Sequence, residues 1–352
     1  MASPSSPLRV GVVGAGLAGL QCARVLRERG ADVTVLDKGR SIGGRTSARR
    51  VEGHTFDLGA QYFTVHDERF GHWVREAAAR GICAPWTGRI VALDPRDGTQ
   101  QPTEPQERLV GTPDMNALAR ALGTDLAIRT SHRVERISPH DGAWRLSGTV
   151  ASGVTLGPLR AEPGAAHLGT FDALAICVPA PQAVPLLEPV SSSLADVARR
   201  CTFDPCFALG IVTEGRWRVP FDGAFVGRDG DGSSALSFLA RDSSKPRRPA
   251  GERWLVHAST TFSRAHFESG HGEVTTLLLA EFARLLAIDP IVPSMTTLQR
   301  WSLARAQQPA AQPSTWDAAT RIGLAGDWTH GGRVEGAFLS GHELAGRILD
   351  GT

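Results

Sequence analysis

Val10-Gly11-Val12-Val13-Gly14-Ala15-Gly16-Leu17-Ala18-Gly19 sets three glycines in the order G-x-G-x-x-G between two apolar segments. Few folds accommodate that arrangement. Leu8 to Val13 reads as a strand, Leu17 to Arg29 has the spacing of an amphipathic helix, and Gly30 ends it. Asp32 to Leu36 reads as a second strand, and Asp37 follows it about twenty residues beyond the glycines. The spacing predicts a Rossmann βαβ unit that binds a dinucleotide. Gly14 permits the tight turn, Gly16 lets backbone approach the pyrophosphate, and Gly19 lets the helix lie close on the sheet. With Ala15, Leu17 and Ala18 they form a helix N-terminus whose free N–H groups suit phosphate. Asp37, beside Lys38, is expected to accept from the adenosine ribose hydroxyls.

Two further segments select the dinucleotide. Lys38-Gly39-Arg40-Ser41-Ile42-Gly43-Gly44-Arg45-Thr46 adds a second glycine pair and an arginine directly after the ribose acid. This is the pattern of FAD enzymes of the amine-oxidase type, with Arg45 against the pyrophosphate and Gly44 beside the flavin. Near the other end, Gly326-Asp327-Trp328 follows a short strand, and Glu335-Gly336-Ala337-Phe338-Leu339-Ser340-Gly341 opens a helix. Asp327 is expected at the ribityl or pyrophosphate. The helix beginning at Glu335, Gly336 and Ala337 should point at the flavin pyrimidine, where negative charge collects on reduction. No cysteine stands in that motif to anchor a flavin covalently, so FAD is expected to bind non-covalently.

At 352 residues the chain should hold about two domains. A net charge of +2 offers no basis for nucleic acid or membrane as a partner. Arginine carries nearly all the basicity, since Lys38 and Lys245 are the only lysines. No stretch is apolar for long enough to span a membrane, and residues 1–8 are too short for a signal peptide. The five cysteines are scattered, which suits a reducing cytoplasm. Strands are expected at Leu126–Ile137, Trp144–Val154, Phe171–Val178 and Arg321–Leu324, with a mostly β region over 205–262. Helices are expected at Ser192–Arg200, Glu273–Leu286 and Gly336–Leu349, and residues 92–107 as a loop or hairpin insertion. The fold class is therefore α/β, a Rossmann-type FAD-binding domain with a second, β-rich substrate domain. Because Asp327 must return to the first βαβ unit, the FAD-binding domain should be discontinuous, comprising 1–70, 108–184 and 320–352. Residues 71–107 and 185–319 are left for the substrate domain.

The segments GAGLAGL, DKGRSIGGRTSARR, FDLGAQYFT, FDALAICVPAPQA, ARDSSKP, WLVHAS and GDWTHGGRVEGAFLSG resemble the renalase family, especially its bacterial branch, over nearly the whole chain. The resemblance implies an FAD-dependent oxidase with an amine oxidase and p-hydroxybenzoate hydroxylase-like fold. Such enzymes take hydride from isomeric dihydro-NAD(P), release NAD(P)+, and pass the electrons to molecular oxygen as hydrogen peroxide. It also implies that Gly59, Ala60 and Gln61 line the flavin with Tyr62 close behind, and that the Val134 backbone bonds the adenine. The chain departs from the bacterial pattern at His66, Phe207, Ser302 and Leu303, which bears on the substrate and leaves the FAD motifs intact. An amine oxidase or a secondary-metabolite desaturase of the same superfamily is the alternative.

Catalytic residues are not identified by any motif. Tyr62, Phe207, Phe238, His257, Arg300 and Trp301 are the substrate-pocket candidates; of Phe207, Phe238, Trp254, His257, Phe262, Arg300 and Trp301 on the β region, two or three should face the ligand, and core packing accounts for any single one equally well. Aromatic walls suit a flat nicotinamide ring. Cys201 and Cys206 have the spacing of a disulfide reductase pair but stand far from the first motif. Gly-rich residues 227–232 lack the helix of a second dinucleotide site. The eleven histidines show no metal-ligand spacing, so no metal is expected. Lys245, in SSKPRR, reads as a loop residue.

Overall fold

The computed structural model describes residues 6–151, 166–214, 217–227, 234–289, 292–307 and 312–351. Residues 152–154 of the expected Trp144–Val154 strand and most of the 227–232 glycine stretch lie outside them.

Two sheets dominate. The first has six strands in the order Thr315–Asp317, Ile322–Leu324, Ala173–Ile176, Arg9–Val13, Asp32–Leu36, Ala127–Arg129. All neighbours are parallel except the edge strand Thr315–Asp317, which runs antiparallel to Ile322–Leu324. Val10, Val12 and Val35 are buried on one face and Val13 and Leu36 on the other, as expected for a sheet covered on both faces. The helix Leu17–Glu28 crosses from the first strand to the second and buries Leu20, Cys22, Ala23 and Leu26. Against it lies the last helix, Val334–Asp350; a Cβ at Gly341 would stand 2.0 Å from the Ala18 carbonyl oxygen. Only glycine allows that approach.

The second sheet has seven strands in the order Met295–Gln307, Thr202–Thr213, Glu252–Ala258, Leu236–Arg241, Gly223–Val226, Ile90–Leu93, Gln100–Pro102. Residues 92–107 thus take part in a hairpin whose strands extend this sheet. The helix His271–Leu286 covers its outer face through Val274, Leu278 and Phe282, which pack with Trp254 and Leu209. A three-stranded antiparallel sheet, His132–His140, Ala143–Val150 and Ala166–Phe171, joins the core beside the first sheet.

Several expectations need correction. Leu126–Ile137 is two strands, broken at Ser131, whose φ is 61°. Phe171–Val178 is likewise divided at Asp172, which accepts from the Arg9 backbone N–H at 2.9 Å, so its two parts join different sheets. The expected domain boundaries meet elements of structure at three points. Those at 70/71 and 184/185 cut the helices Glu68–Ala79 and Ala180–Leu187. That at 319/320 separates Thr315–Asp317 from its own sheet. Ser192–Arg199 packs Leu194, Ala195 and Ala198 into the core with Val13, Leu36 and Leu174, although the expected boundary puts it with the substrate domain. Amphipathic periodicity shows that a helix has a buried face; it does not say which sheet receives it. No helix among the described residues is long and apolar enough to cross a membrane.

Candidate active site

A cavity of about 1010 Å³ runs between the two large sheets. The glycine turn forms one end, with Gly14, Gly16, Leu17 and Ala18 on its wall beside Asp37, Lys38, Gly44 and Arg45. Gly59, Ala60, Val134, Asp327 and Ala337 also line it, as do His257, Arg300 and Trp301 from the seven-stranded sheet. Segments separated by three hundred residues therefore meet at one space.

The turn has the features a pyrophosphate requires. Gly16 caps the first helix with no side chain, so the leading N–H groups are unoccupied by any cap. A Cβ at Gly16 would meet nothing within 4 Å, whereas one at Gly19 would lie 1.9 Å from the Gly14 carbonyl oxygen. The two glycines differ in kind: Gly16 keeps the cavity clear, and Gly19 keeps the turn closed. The second glycine pair docks on the first turn, with the Gly43 N–H donating to the Ala15 carbonyl at 2.8 Å. Arg45 reaches across the cavity to Asp327 with two hydrogen bonds of 2.5 and 2.8 Å, and donates to the Ala304 carbonyl at 3.2 Å. That bidentate pair ties the second glycine loop to the C-terminal motif. The uncapped helix, the clear Gly16 wall and the cation at Arg45 fit FAD.

Other expected residues act differently. The Asp37 carboxylate accepts from the backbone N–H groups of Ala15 and Gly39, both at 2.6 Å, so it already braces the turn it was expected to serve only through ribose. Ala15, Gly19, Gln61, Tyr62, Glu335 and Gly336 do not line the cavity. Glu335 is buried, and its Oε1 accepts from the backbone N–H groups of His66 and Asp67 at 2.7 and 2.8 Å. It holds the entry to the helix Glu68–Ala79. A Cβ at Gly336 would stand 1.7 Å from the His330 carbonyl oxygen, so that glycine serves the turn before the last helix.

Among the substrate-pocket candidates, His257, Arg300 and Trp301 reach the cavity, and Tyr62, Phe207 and Phe238 do not. Phe207 is fully buried between Leu209, Trp254 and their neighbours. Ser302 and Leu303, two departures from the bacterial pattern, do line the wall. The Trp301 indole N–H donates to the Leu58 carbonyl at 2.8 Å, and the Arg300 guanidinium stands 5.3 Å from the Phe267 ring. Burial, and then the charge of Lys245, depress the His257 pKa to about 4; hydrogen bonds to the Leu58 and Gly59 backbone oppose them. The imidazole is neutral at ordinary pH. Cys206 lines the cavity with its thiol pushed up to about 12 by burial, and Cys201 is pushed up to about 11 by burial and by Asp327. Thiols held protonated in this way are poor nucleophiles.

The sequence reading missed a buried charge cluster behind this wall. Lys245, read as a loop residue, follows the short turn Asp242–Ser244 but is wholly buried. Its Nζ donates to Gln61 Oε1 at 2.9 Å and to Asp242 at 3.3 Å, and lies 3.6 Å from Asp57. Arg248 pairs with Asp57 at 2.5 Å and donates to the Gly111 carbonyl at 3.0 Å. The Gln61 amide donates to the Gly59 carbonyl at 2.9 Å, so the cluster braces the cavity wall through Gln61. Burial raises the pKa of Asp242, opposed by Lys245. One signal was available: a chain that uses arginine almost everywhere keeps a lysine here. An ammonium fits a compact buried site that a planar guanidinium does not.

Residues 12–77 match the model of an NAD(P)-binding Rossmann-like domain, and residues 70–349 match that of the flavin containing amine oxidoreductases. The chain is similar to renalase of Mus musculus, 24% identical over 84% of this chain and 85% of that protein. A carotenoid 3,4-desaturase of Haloarcula japonica is 44% identical, but over 17% of this chain and 13% of the desaturase. Putrescine oxidase, solved with putrescine bound, superposes with a TM-score of 0.70 at 13% identity, covering 98% of this chain and all of the other. That last likeness concerns the fold.

Proposed function

We propose, for a chain that belongs to the flavin containing amine oxidoreductase family, an oxidase that takes hydride from isomeric dihydro-NAD(P) and gives NAD(P)+ and hydrogen peroxide. It is a flavin-dependent oxidoreductase, and FAD is its cofactor. Bound FAD supplies two-electron chemistry, accepting a hydride and returning the electrons to oxygen. The residues to hold it are the Gly14–Gly19 turn, Asp37, Gly44 with Arg45, Gly59 with Ala60, Val134, Asp327 and Ala337. Binding is non-covalent, and the protein works in the cytoplasm.

The observation that supports this substrate is the chemistry of the cavity wall on the seven-stranded sheet. Cys206, His257, Gln299, Arg300 and Trp301 include no carboxylate, and His257 is a neutral, weak base. A protonated amine needs a group to take its proton before it can lose hydride. A dihydropyridine is already a hydride donor, and asks only to be held with its C–H aimed correctly. Trp301 and Arg300 offer a flat aromatic face and a cation for such a ring and its phosphates. The desaturase likeness covers 17% of this chain, against 84% for renalase.

Anaerobic stopped-flow mixing tests the reading. The isomeric dihydro-NAD(P) species should bleach the flavin quickly, and NADPH slowly, because a displacement of about 1 Å in hydride position costs on the order of a hundredfold. Fast bleaching by an amine, with the isomers inert, would move the protein to the amine oxidases. Fast bleaching by NADPH would make it a reductase or monooxygenase. We also propose that the FAD-binding domain is discontinuous, with boundaries moved to spare the helices Glu68–Ala79 and Ala180–Leu187. A chain ending at residue 185 lacks Asp327 and the last helix and should lose FAD.

A further inference from the structure

Arg108 precedes the short strand Leu109–Gly111 and is buried. Its guanidinium carbon lies 5.5 Å from the centre of the Tyr62 ring and 5.9 Å from that of Phe225. The rings around it are continuous: Tyr62 and Phe238 are 5.9 Å apart, Tyr62 and Trp86 6.4 Å, and Phe225 and Phe238 4.9 Å. Nη1 donates to the Gln106 carbonyl at 3.2 Å, while the buried Nε has no hydrogen-bond partner. No carboxylate pairs with Arg108 among the described residues. A buried cation without a counter-ion is costly, and ring faces offset only part of that cost.

The recess adjoins the candidate active site. Tyr62 follows Ala60 and Gln61 in the chain, and the Phe238 ring centre is 6.5 Å from that of His257. Ala60 and His257 both line the cavity. Tyr62 and Phe225 are only half-buried, so the recess is not sealed inside the core. An aromatic recess beside a hydride-accepting site has the chemistry that recognises an amine, by the attraction of a cation to ring faces. Here a cation of the protein's own fills it. A second cation, Lys245, stands 5.7 Å from the Trp86 ring.

We propose that Arg108 determines specificity, its guanidinium occupying the aromatic recess as an internal substitute for an amine and thereby excluding amines from the site. This rests on the same site as the proposed function and names the substrate class it rejects. The departure of Tyr62 from the cavity wall then has a reason: its ring face is committed to Arg108, and Phe238 packs against Tyr62 and Phe225, the two rings that Arg108 faces.

The test uses the FAD-loaded enzyme and reads binding rather than turnover. Wild type, Arg108→Ala and Arg108→Lys are titrated with benzyltrimethylammonium and with putrescine, following the visible flavin spectrum. The wild type should show no saturable change. Arg108→Ala should bind the quaternary cation at least about tenfold more tightly, the size of one strong cation–π contact. Arg108→Lys keeps a cation in the recess and should restore exclusion. Binding by the wild type as tight as by Arg108→Ala would overturn the proposal. So would an Arg108→Ala enzyme that keeps the wild-type flavin spectrum and melting temperature yet binds neither amine. If Arg108→Ala does not hold FAD, Arg108→Gln should bind the quaternary cation a few-fold more tightly than wild type, and an unchanged affinity overturns the proposal. Inert dihydropyridine isomers would sink the proposed substrate and leave this result standing; the two failures are separable.

Discussion

The two ends of the cavity are built on different principles. At the glycine turn the wall is made of backbone: an uncapped helix N-terminus, close-packed glycines, and an aspartate that braces the loop. At the seven-stranded sheet the wall is made of side chains, with His257, Arg300 and Trp301 supplied by two strands, while Lys245 bonds Gln61, whose amide donates to the Gly59 carbonyl on the same cavity. A backbone site can be specified by a dozen consecutive residues. A side-chain site needs strands paired across long stretches of chain, and each residue in it could equally have packed into a core. Hence one end carries a motif and the other does not.

The largest expected effect separates cofactor loss from fold loss within the glycine turn. Gly16→Val fills the space a pyrophosphate needs, but that space is open to the cavity. FAD affinity should fall by more than about a hundredfold, or roughly 2.7 kcal/mol, while the melting temperature of the FAD-free protein holds. Gly19→Val must displace the Gly14 carbonyl and should lower both. Equal thermal losses in the two variants would break the distinction between them.

Next is the brace at the other end. Lys245→Met leaves Asp57 and Asp242 with less compensation in a buried site, at a cost of about 3–5 kcal/mol in denaturant unfolding. A loss below about 1 kcal/mol would mean that Arg248 alone neutralises the pair.

A smaller effect concerns pH. The folded-state pKa of His257, about 4, lies below its unfolded value near 6.5. The unfolded chain therefore binds a proton in that window that the folded protein refuses, and stability should fall as pH drops from about 6.5 towards 4. Comparing urea midpoints of wild type and His257→Gln over that range isolates the contribution, which should vanish in the variant. Above pH 6.5 the two curves should run parallel.

The smallest effect serves as a baseline for the others. Glu28 pairs with Arg24 at 2.9 Å on the exposed face of the first helix. Glu28→Gln should cost no more than about 0.5 kcal/mol and leave FAD binding unchanged. A larger loss would show that the helix couples to the site through its surface as well as its N-terminus.

The sequence alone determined the βαβ unit, the cofactor class and the return of the C-terminal motif to the first βαβ unit. Each depends on local geometry: glycines where a side chain would collide, an acid after the second strand, a helix start without a cap. It did not show which sheet a helix packs on, because helical periodicity specifies a buried face without naming its partner, as Ser192–Arg199 illustrates. It gave Lys245 to a loop, and that was correct about backbone and blind to burial. Only the tertiary structure decided which aromatic residues reach the cavity. Tyr62 turns to Arg108, Phe238 to Tyr62 and Phe225, and Phe207 to the core, while Trp301 reaches the cavity with its indole N–H bonded to the Leu58 carbonyl. Those choices follow from strand register and from where a buried charge must be compensated, and both arise between residues far apart in the chain.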